Sequence, residues 1–290
     1  MRYATPATVD EAQTLLSDNP GSQVFAGATD LVPQIRAGRP SPSMVVDLKR
    51  IERLTAVTHE DGLWTIGAAT PTAELTRNRE FTAMFPGLSE AAGLIGSDQI
   101  QNRSSLGGNL ANASPAADSV PALIANAGQA VIASGDGTRT VPAADIVTGP
   151  GRTSLTEGEF IIEFTLDDPP AGTGDAYLRM IPRTEMDIAI VGAAVRLTID
   201  GGAVSDATVV LGAVAPTSVA VPDADVALVD AVLDGGRIDE VTLAAVAAAA
   251  SAACNPIDDK RGTVAYRRQV AGVMAKRAAV IAAERAQSGA

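Results

Sequence analysis

Two short stretches of the chain combine glycine with small hydroxyl and amide residues, a composition typical of turns that bind anions. The first, "FAGATD", spans residues 25–30, and the second, "SSLGGNLANASPAAD", spans residues 104–118. Consecutive backbone N–H groups in such turns form concave anion sites, and glycine lets a phosphate approach the main chain. Their polar side chains are Thr29, Asp30, Ser104, Ser105, Asn109, Asn112, Ser114 and Asp118. The residues alone leave two interpretations open: a long polyhydroxylated diphosphate ligand between two lobes, or two tight turns with packing glycines.

Several other chemistries lack the residues they need. None of the three lysines follows a glycine, so a P-loop is excluded, and neither G-x-G-x-x-G nor G-x-S-x-G occurs. The single histidine, His59, excludes an H-E-x-x-H zinc site and is expected in a solvated turn. The single cysteine, Cys254, cannot hold an iron–sulfur cluster and is expected to be a small packed residue. We therefore expect no catalytic triad and no metal site within the chain.

Composition narrows the class of partner. The 290 residues are 46% hydrophobic and 3% aromatic, and their net charge is −12. An acidic chain with few aromatic residues is a poor match for nucleic acid or an anionic membrane. The N-terminal residues contain no apolar signal region, and the alanine-rich run before Cys254 is too short to span a bilayer. We expect a cytoplasmic protein without a membrane span.

The first half of the chain reads as strands and helices that place both glycine stretches in connections. Residues 9–18 predict a helix, 22–27 a strand, 29–38 a helix opened by Thr29 or Asp30, and 43–48 a strand. The turn "AGATD" would then follow the first of these strands at its carboxyl end, where open α/β sheets bind ligands. Further elements are predicted as strands at 63–68, 130–134 and 159–166, and as helices opened near Thr70 or Thr72 and over 85–97.

A composition break at 167–175 precedes a different pattern. The following segments, around the turn "DGG", predict a meander of antiparallel strands. Two helices close the chain. The first is rich in alanine and expected to be buried. The second is predicted to bury one apolar stripe and expose its basic residues. That stripe consists of Tyr266, Val270, Val273, Met274 and Ile281.

Four motifs occur in one order along the chain and carry a family resemblance. They are "AGATDLVP", "IGSDQIQNRSSLGGNLANASPAADSVPAL", "RMIPRTEMD" and "NPIDDKRGTVAYRR". In this order they resemble the medium, FAD-binding subunit of molybdenum hydroxylases, the carbon monoxide dehydrogenase and xanthine dehydrogenase family. The resemblance covers essentially the whole chain, and the long second motif is the most specific of the four.

The resemblance implies an α+β fold in two domains. A vanillyl-alcohol-oxidase-type FAD-binding domain would span residues 1–172, with α/β subdomains of about 1–55 and 56–172. A C-terminal flavoprotein domain with an antiparallel sheet and helices would span 173–290. Carried over by position, the implied FAD-binding residues are Val24, Phe25, Ala26, Gly27, Ala28, Thr29, Asp30, Leu31, Ser104, Ser105, Gly108, Asn109, Ala111, Asp118, Ile161 and Arg179. The first eight would wrap the diphosphate, Asp118 would bind ribityl or ribose hydroxyls, and Ile161 would pack near the flavin ring.

A few positions depart from the family pattern. Arg179 falls where a lysine is usual near the flavin, so its charge is kept and its geometry changed. Ala28 stands where a second glycine is common and is expected to adopt an ordinary φ angle. Ser104 replaces a common glycine, and Gln101 replaces a common arginine. None of these changes removes a group on which FAD binding must depend.

The implied role is electron transfer within a larger assembly. Electrons from a molybdenum–pterin centre on a large subunit would cross two [2Fe–2S] clusters on a small subunit, reach non-covalent FAD on this chain, and pass to an external acceptor. The expected assembly is a heterotrimer, paired into a dimer of trimers. Two alternatives stay open: a stand-alone flavoenzyme of the same fold, similar to UDP-N-acetylenolpyruvylglucosamine reductase, and a scaffold subunit without flavin. The substrate would bind another subunit, and NAD, a quinone, a cytochrome and oxygen all stay open as the external acceptor.

Overall fold

A computed structural model of the chain describes residues 1–183 and 186–288. Thr184 and Glu185 of the quoted segment "RMIPRTEMD", and the last two residues of the expected C-terminal domain, lie outside the described residues. The architecture is the predicted mixture of helices and sheets, with an antiparallel sheet in the C-terminal part. No helix in the described part of the chain has the length and apolarity needed to cross a membrane.

The N-terminal subdomain is a small parallel sheet with two helices. Its elements are β1 (Arg2–Ala4), α1 (Val9–Ser17), β2 (Gln23–Phe25), α2 (Leu31–Arg36) and β3 (Met44–Asp47). The strand order is β1-β3-β2, and both pairings are parallel. All of β3 is buried, as expected for the central strand of a parallel sheet. The β2–α2 connection therefore lies at the carboxyl edge of this sheet, as predicted.

The middle of the chain forms a five-stranded antiparallel sheet and a group of short helices. Its elements are β4 (Val57–Glu60), β5 (Leu63–Gly67), α3 (Thr72–Arg77), α4 (Arg79–Met84), α5 (Pro86–Gly93), α6 (Asp98–Gln101), α7 (Leu106–Ala111), α8 (Ser119–Ala125), β6 (Gln129–Ser134), β7 (Gly137–Pro142), β8 (Val147–Gly149), β9 (Arg152–Thr153) and β10 (Phe160–Asp167). The sheet order is β4-β5-β10-β6-β7, with β8 and β9 as a separate ribbon. Buried aromatic residues, among them Trp64, Phe81 and Phe164, hold the helices against the sheet.

The C-terminal part is a four-stranded antiparallel meander covered by helices. Its elements are β11 (Thr173–Met180), β12 (Val191–Asp200), β13 (Ala203–Gly212), β14 (Val219–Ala220), α9 (Pro222–Leu228), α10 (Glu240–Ala253) and α11 (Val264–Ser288). Strand β11 begins inside the composition break at 167–175, which is the candidate domain boundary in the sequence. The break is short because the Pro-rich turn ends where Thr173 starts to pair with Thr198 on β12.

The buried face of α11 matches the predicted apolar stripe only in part: Val270, Met274 and Ile281 are half-buried against the C-terminal core, but they are not its centre. Tyr266 and Val273 are 39% and 40% exposed, whereas a row of alanines from Ala271 to Ala286 is buried together with Arg267. The reason is close packing: a β-carbon added to Gly272 would lie 2.6 Å from the Ala247 carbonyl oxygen. Only small residues fit such an approach, so the larger apolar side chains of α11 are displaced toward its edges and solvent.

Buried polar contacts join the C-terminal sheet to the middle of the chain. Asp175 on β11 accepts hydrogen bonds from the Gly87 and Leu88 N–H groups at 2.8 and 3.1 Å, and thereby caps α5. Burial raises the pKa of Asp175, although these bonds oppose the shift. Tyr177, Ala194 and Val210 of the C-terminal sheet share one apolar cluster with the middle helices. The division at residues 172/173 stays a prediction.

Candidate functional site

The loop between β2 and α2 presents a run of free backbone donors. Within the described residues, no protein acceptor takes a hydrogen bond from the N–H groups of Gly27, Ala28, Thr29, Asp30 or Leu31. A β-carbon added to Gly27 would lie 1.7 Å from the Arg103 carbonyl oxygen, so only glycine allows the loop to rest against the chain that enters the second glycine stretch. The first loop is therefore positioned by the second.

Ala28 adopts a left-handed conformation, with φ of 58°, and the expectation of an ordinary φ angle is wrong. Left-handed backbone costs a non-glycine residue on the order of 1–2 kcal/mol. The conformation is held by the start of α2, because the Val32 N–H donates to the Ala28 carbonyl oxygen at 3.1 Å. The reversal at Ala28 lets the chain turn from β2 into α2 while the adjacent N–H groups stay unpaired.

The second glycine stretch forms the start of α7. Ser105 is its N-cap, and its Oγ accepts a bond from the Gly108 N–H at 3.0 Å. Ser104 is tied to α3 instead, since Thr72 N–H donates to the Ser104 carbonyl at 2.8 Å and the two hydroxyls are 2.8 Å apart. Thr72 thus anchors this loop, whereas the sequence predicted that Thr70 or Thr72 would cap α3. The N–H groups of Ser105 and Leu106 have no acceptor among the described residues.

The two loops face each other across one open cleft with about 1010 Å³ of empty volume. The implied residues that line it are Val24, Phe25, Ala26, Gly27, Ala28, Thr29, Asp30, Leu31, Ser104, Ser105, Gly108, Asn109 and Ala111. Sequence reasoning missed the other lining residues, which are Gln23, Gln34, Arg39, Ile95, Asn112 and Gly151. Asn112 lies inside the second motif, and Gln34 follows Asp30 by one helical turn. Both residues could therefore have been predicted to line the cleft.

Polar side chains set the width and charge of the cleft. Gln34 on α2 donates from Nε2 to Asn112 Oδ1 at 2.9 Å and so ties α2 to the residue that ends α7. Asn109 Oδ1 accepts from the Ser119 hydroxyl at 2.7 Å, which leaves its amide nitrogen without a protein acceptor among the described residues. Burial raises the pKa of Asp30.

The half-buried side chain of Lys49 supports the first loop from the protein side. Lys49 Nζ donates to the Ala26 carbonyl oxygen at 2.8 Å and to Asp47 Oδ1 at 2.6 Å, and it lies 4.5 Å from the centre of the Phe25 ring. Burial alone would raise the pKa of Asp47, but hydrogen bonds from Lys49 and Tyr3 outweigh it and hold that pKa below its ordinary value. This network orients the end of β2, where the cleft begins.

Three implied FAD residues lie outside the lining of the cleft. Asp118 is 8% exposed and accepts bonds from the Tyr177 hydroxyl at 3.0 Å and from Arg179 Nη1 at 2.8 Å. Arg179 Nη1 also donates to the Leu94 carbonyl oxygen at 2.8 Å. Burial raises the pKa of Asp118 to about 6, against the opposing effects of Arg179 and Tyr177. Ile161 on β10 is buried in the core of the middle sheet.

His59 and Cys254 also lie away from the cleft. His59 belongs to strand β4 and not to a solvated turn, because its Nδ1 is 2.8 Å from Glu80 and its Nε2 is 2.9 Å from Asp168. Its ring stacks on Trp64 at 4.4 Å, and the hydrogen bond to Glu80 is the main reason that its pKa is raised. Cys254 is buried as predicted, and burial raises its pKa to about 11.

The donor set of the cleft fits the diphosphate of FAD. Free N–H groups from two loops converge there, and such groups bind phosphate oxygens without a lysine. Gly108 is exposed and lines the cleft, and the single atom that a β-carbon added to it would approach is Ser105 Oγ, at 3.2 Å. The sequence places a glycine where a side chain would enter the cleft, and this observation favours a ligand over a plain turn.

Comparison with known proteins gives the same family. A model described as the FAD binding domain in molybdopterin dehydrogenase matches residues 1–167, and one described as the CO dehydrogenase flavoprotein C-terminal domain matches residues 176–282. The carbon monoxide dehydrogenase medium chain of Hydrogenophaga pseudoflava is 33% identical over 277 residues, which cover 95% of this chain and 94% of that protein.

Two further relatives agree with this result. The xanthine dehydrogenase FAD-binding subunit of Escherichia coli O157:H7 is 34% identical over 220 residues, 75% of each chain. A solved structure of carbon monoxide dehydrogenase from H. pseudoflava, lacking the Mo-pyranopterin moiety of its cofactor, superposes with a TM-score of 0.92 at 34% identity over 98% of both chains. With its fold, its cleft and both domain matches in agreement, this chain belongs to the family of FAD-binding medium subunits of molybdenum hydroxylases and is an oxidoreductase subunit.

Proposed function

We propose that the chain holds FAD non-covalently in the cleft and serves as the electron-transfer subunit of a molybdenum hydroxylase. The observation that carries the proposal is that residues 27–31 and Ser105, whose N–H groups have no acceptor among the described residues, line one cleft. When bound there, FAD supplies redox chemistry by taking up and releasing electrons. The protein's own part is to hold the diphosphate with its backbone and to keep α2 and α7 at a set separation.

The proposed partners are a large molybdenum-cofactor subunit and a small iron–sulfur subunit, in a dimer of heterotrimers. One buried cysteine cannot supply the thiolates of a [2Fe–2S] cluster, so the clusters would belong to another chain. The printed names of the relatives, a medium chain and an FAD-binding subunit, support a multi-subunit assembly. A cytoplasmic location is part of the proposal, because the single cysteine forms no internal disulfide.

Non-covalent attachment is inferred from the residue types around the cleft. Histidine and cysteine are absent from the lining residues that the structure describes. His59 is held between two carboxylates, and Cys254 lies in the C-terminal core. Neither residue is therefore available to form a bond to the flavin.

Asp118, Ile161 and Arg179 are proposed as residues of the ribityl and ring end of the site. Arg179 bonds to the carbonyl of Leu94, whose neighbour Ile95 lines the cleft. A flavin that extended past Ile95 would approach the Asp118–Arg179 pair. In this structure the two side chains form an ion pair with each other.

Flavin analysis of the purified full chain tests the proposal. We expect a yellow protein that releases its flavin completely on acid precipitation, with FAD identified in the supernatant at one equivalent per chain. Flavin that stays with the pellet would contradict non-covalent binding. A colourless chain that ignores added FAD would favour the scaffold alternative. An isolated chain that catalyses complete turnover of a small substrate would favour the stand-alone flavoenzyme.

A further inference from the structure

The cleft contains one cationic side chain among the lining residues that the structure describes, Arg39, and one anionic side chain, Asp30. We propose that Arg39 binds the diphosphate of FAD and sets the affinity of the cleft for diphosphate ligands. This inference rests on the proposed function, because it concerns the same site. It adds a side chain that neither the glycine motifs nor the resemblance identified.

Arg39 is held in place and still has donors to spare. Its Nη1 donates to Gln34 Oε1, and Gln34 in turn donates to Asn112. An arginine side chain has five N–H donors. Within the described residues, no carboxylate pairs with Arg39, and only Nη1 has a protein acceptor. The guanidinium is therefore bonded to Gln34, the residue that links α2 to the end of α7, and its other N–H groups have no protein acceptor among the described residues.

The charge balance of the cleft explains why a cation is needed there. The backbone N–H groups contribute dipoles and no net charge, while Asp30 contributes a carboxylate next to them. Bringing a diphosphate into the same space adds like charge to Asp30, which opposes binding. A guanidinium offsets that repulsion and suits phosphate oxygens geometrically, since its planar donors bind them in pairs.

Binding of FAD to deflavinated full-length chain, followed by flavin fluorescence, tests the proposal. Arg39→Gln should weaken binding about ten- to a hundredfold, the range for losing a charge-assisted hydrogen bond. Arg39→Lys should recover part of the loss, because it keeps the charge without the fork. Arg36→Gln is the matched control: Arg36 is the last residue of α2, three positions before Arg39, and it is exposed and does not line the cleft, so wild-type affinity is expected.

The dependence of binding on salt separates a direct contact from a structural role. If Arg39 contacts the diphosphate, the affinity of Arg39→Gln should depend less steeply on salt concentration than that of wild type. Equal affinities and equal salt slopes in Arg39→Gln and wild type would overturn the inference while leaving FAD binding intact. A weaker Arg39→Gln with an unchanged salt slope would overturn it too, since Arg39 would then act only through Gln34. Wild-type protein that binds no FAD would instead refute the proposed function.

Discussion

Gly27 and Arg103 approach so closely that a β-carbon on Gly27 would fall 1.7 Å from the Arg103 carbonyl oxygen. This contact presses the first anion-binding loop against the chain that leads into the second. The two loops are separated by about seventy residues in sequence, yet they line one cleft. The separation between their N–H groups is therefore set by a backbone contact and not by flexible side chains.

Gly27→Ala tests this contact. The added methyl group must push the loops apart, at a cost of about 1–3 kcal/mol in the free energy of unfolding, as for other overpacked sites. FAD content should fall with it. Gly135→Ala is the matched control, since a β-carbon there meets nothing within 4 Å. Urea unfolding measures both variants, and equal stabilities would show that the Gly27 contact is relaxed in solution.

Gly108→Val should separate FAD binding from folding. A side chain at Gly108 meets only Ser105 Oγ before it enters the cleft, so the variant should fold and lose most of its FAD. Gly107→Val should instead unfold the region, because a β-carbon there would lie 2.5 Å from the Ala68 carbonyl oxygen. Circular dichroism and released flavin report the two effects. A Gly108→Val protein with full FAD would rule the second loop out as part of the site.

The burial of Asp118 predicts a pH dependence of stability. Its pKa is raised from 3.8 to about 6, so the folded state binds a proton that the unfolded state has already lost between these values. Stability from this group is therefore greatest at low pH and falls as the pH rises toward 6. Compared with Asp118→Asn, the advantage of wild type in urea unfolding should shrink across this range. An advantage that grew instead would mean that Arg179 outweighs burial.

His59 should also stabilise the protein most at low pH, but through the charged form of its side chain and not the neutral one. Glu80 and Asp168 raise its pKa, so its contribution is fully present below the unfolded value of 6.5 and is lost as the pH rises through the raised value. His59→Gln should therefore lower the melting temperature at pH 6 more than at pH 9. A constant difference between the two proteins would leave only the stacking on Trp64 as the role of His59.

Cys254 should resist alkylation in the native protein. Its thiol is buried, donates to the Ala250 carbonyl oxygen, and has a pKa raised to about 11, so little thiolate exists at neutral pH. Mass spectrometry after iodoacetamide treatment should show no adduct in buffer and complete labelling in denaturant. Rapid labelling of the native protein would contradict the prediction and show that the C-terminal end of α10 opens to solvent.

Local patterns in the sequence predicted those parts of the site that depend on neighbouring residues. Ser105 was predicted as a polar residue of the second loop, and in the structure it caps α7 through a bond from the N–H of Gly108, three residues away. The position of residues 26–30 after a buried strand likewise follows from local alternation. Ala28 was misjudged because its left-handed φ depends on how α2 leaves the loop.

Other features were decided by contacts between residues distant in the chain. Asp118 belongs to the second motif and precedes α8, but Tyr177 and Arg179, which donate hydrogen bonds to it, both lie on β11 of the C-terminal sheet. The buried face of α11 could not be read from hydrophobicity, since the close approach of α10 and the sheet admits alanine and excludes larger groups. The burial of Arg267 also depends on the folded chain, because its guanidinium donates to the Ile190 carbonyl oxygen and to Asp259.

Residue types over short spans were sufficient to identify the family, many of the strands and helices, and the two glycine-rich loops. Contacts between distant segments bring the two loops to one cleft, place Arg39 in its lining, and pair Asp118 with Arg179. The physical reason is range. Capping, turn formation and strand alternation act within a few residues, whereas close packing and charge pairing depend on which distant segments the fold brings together.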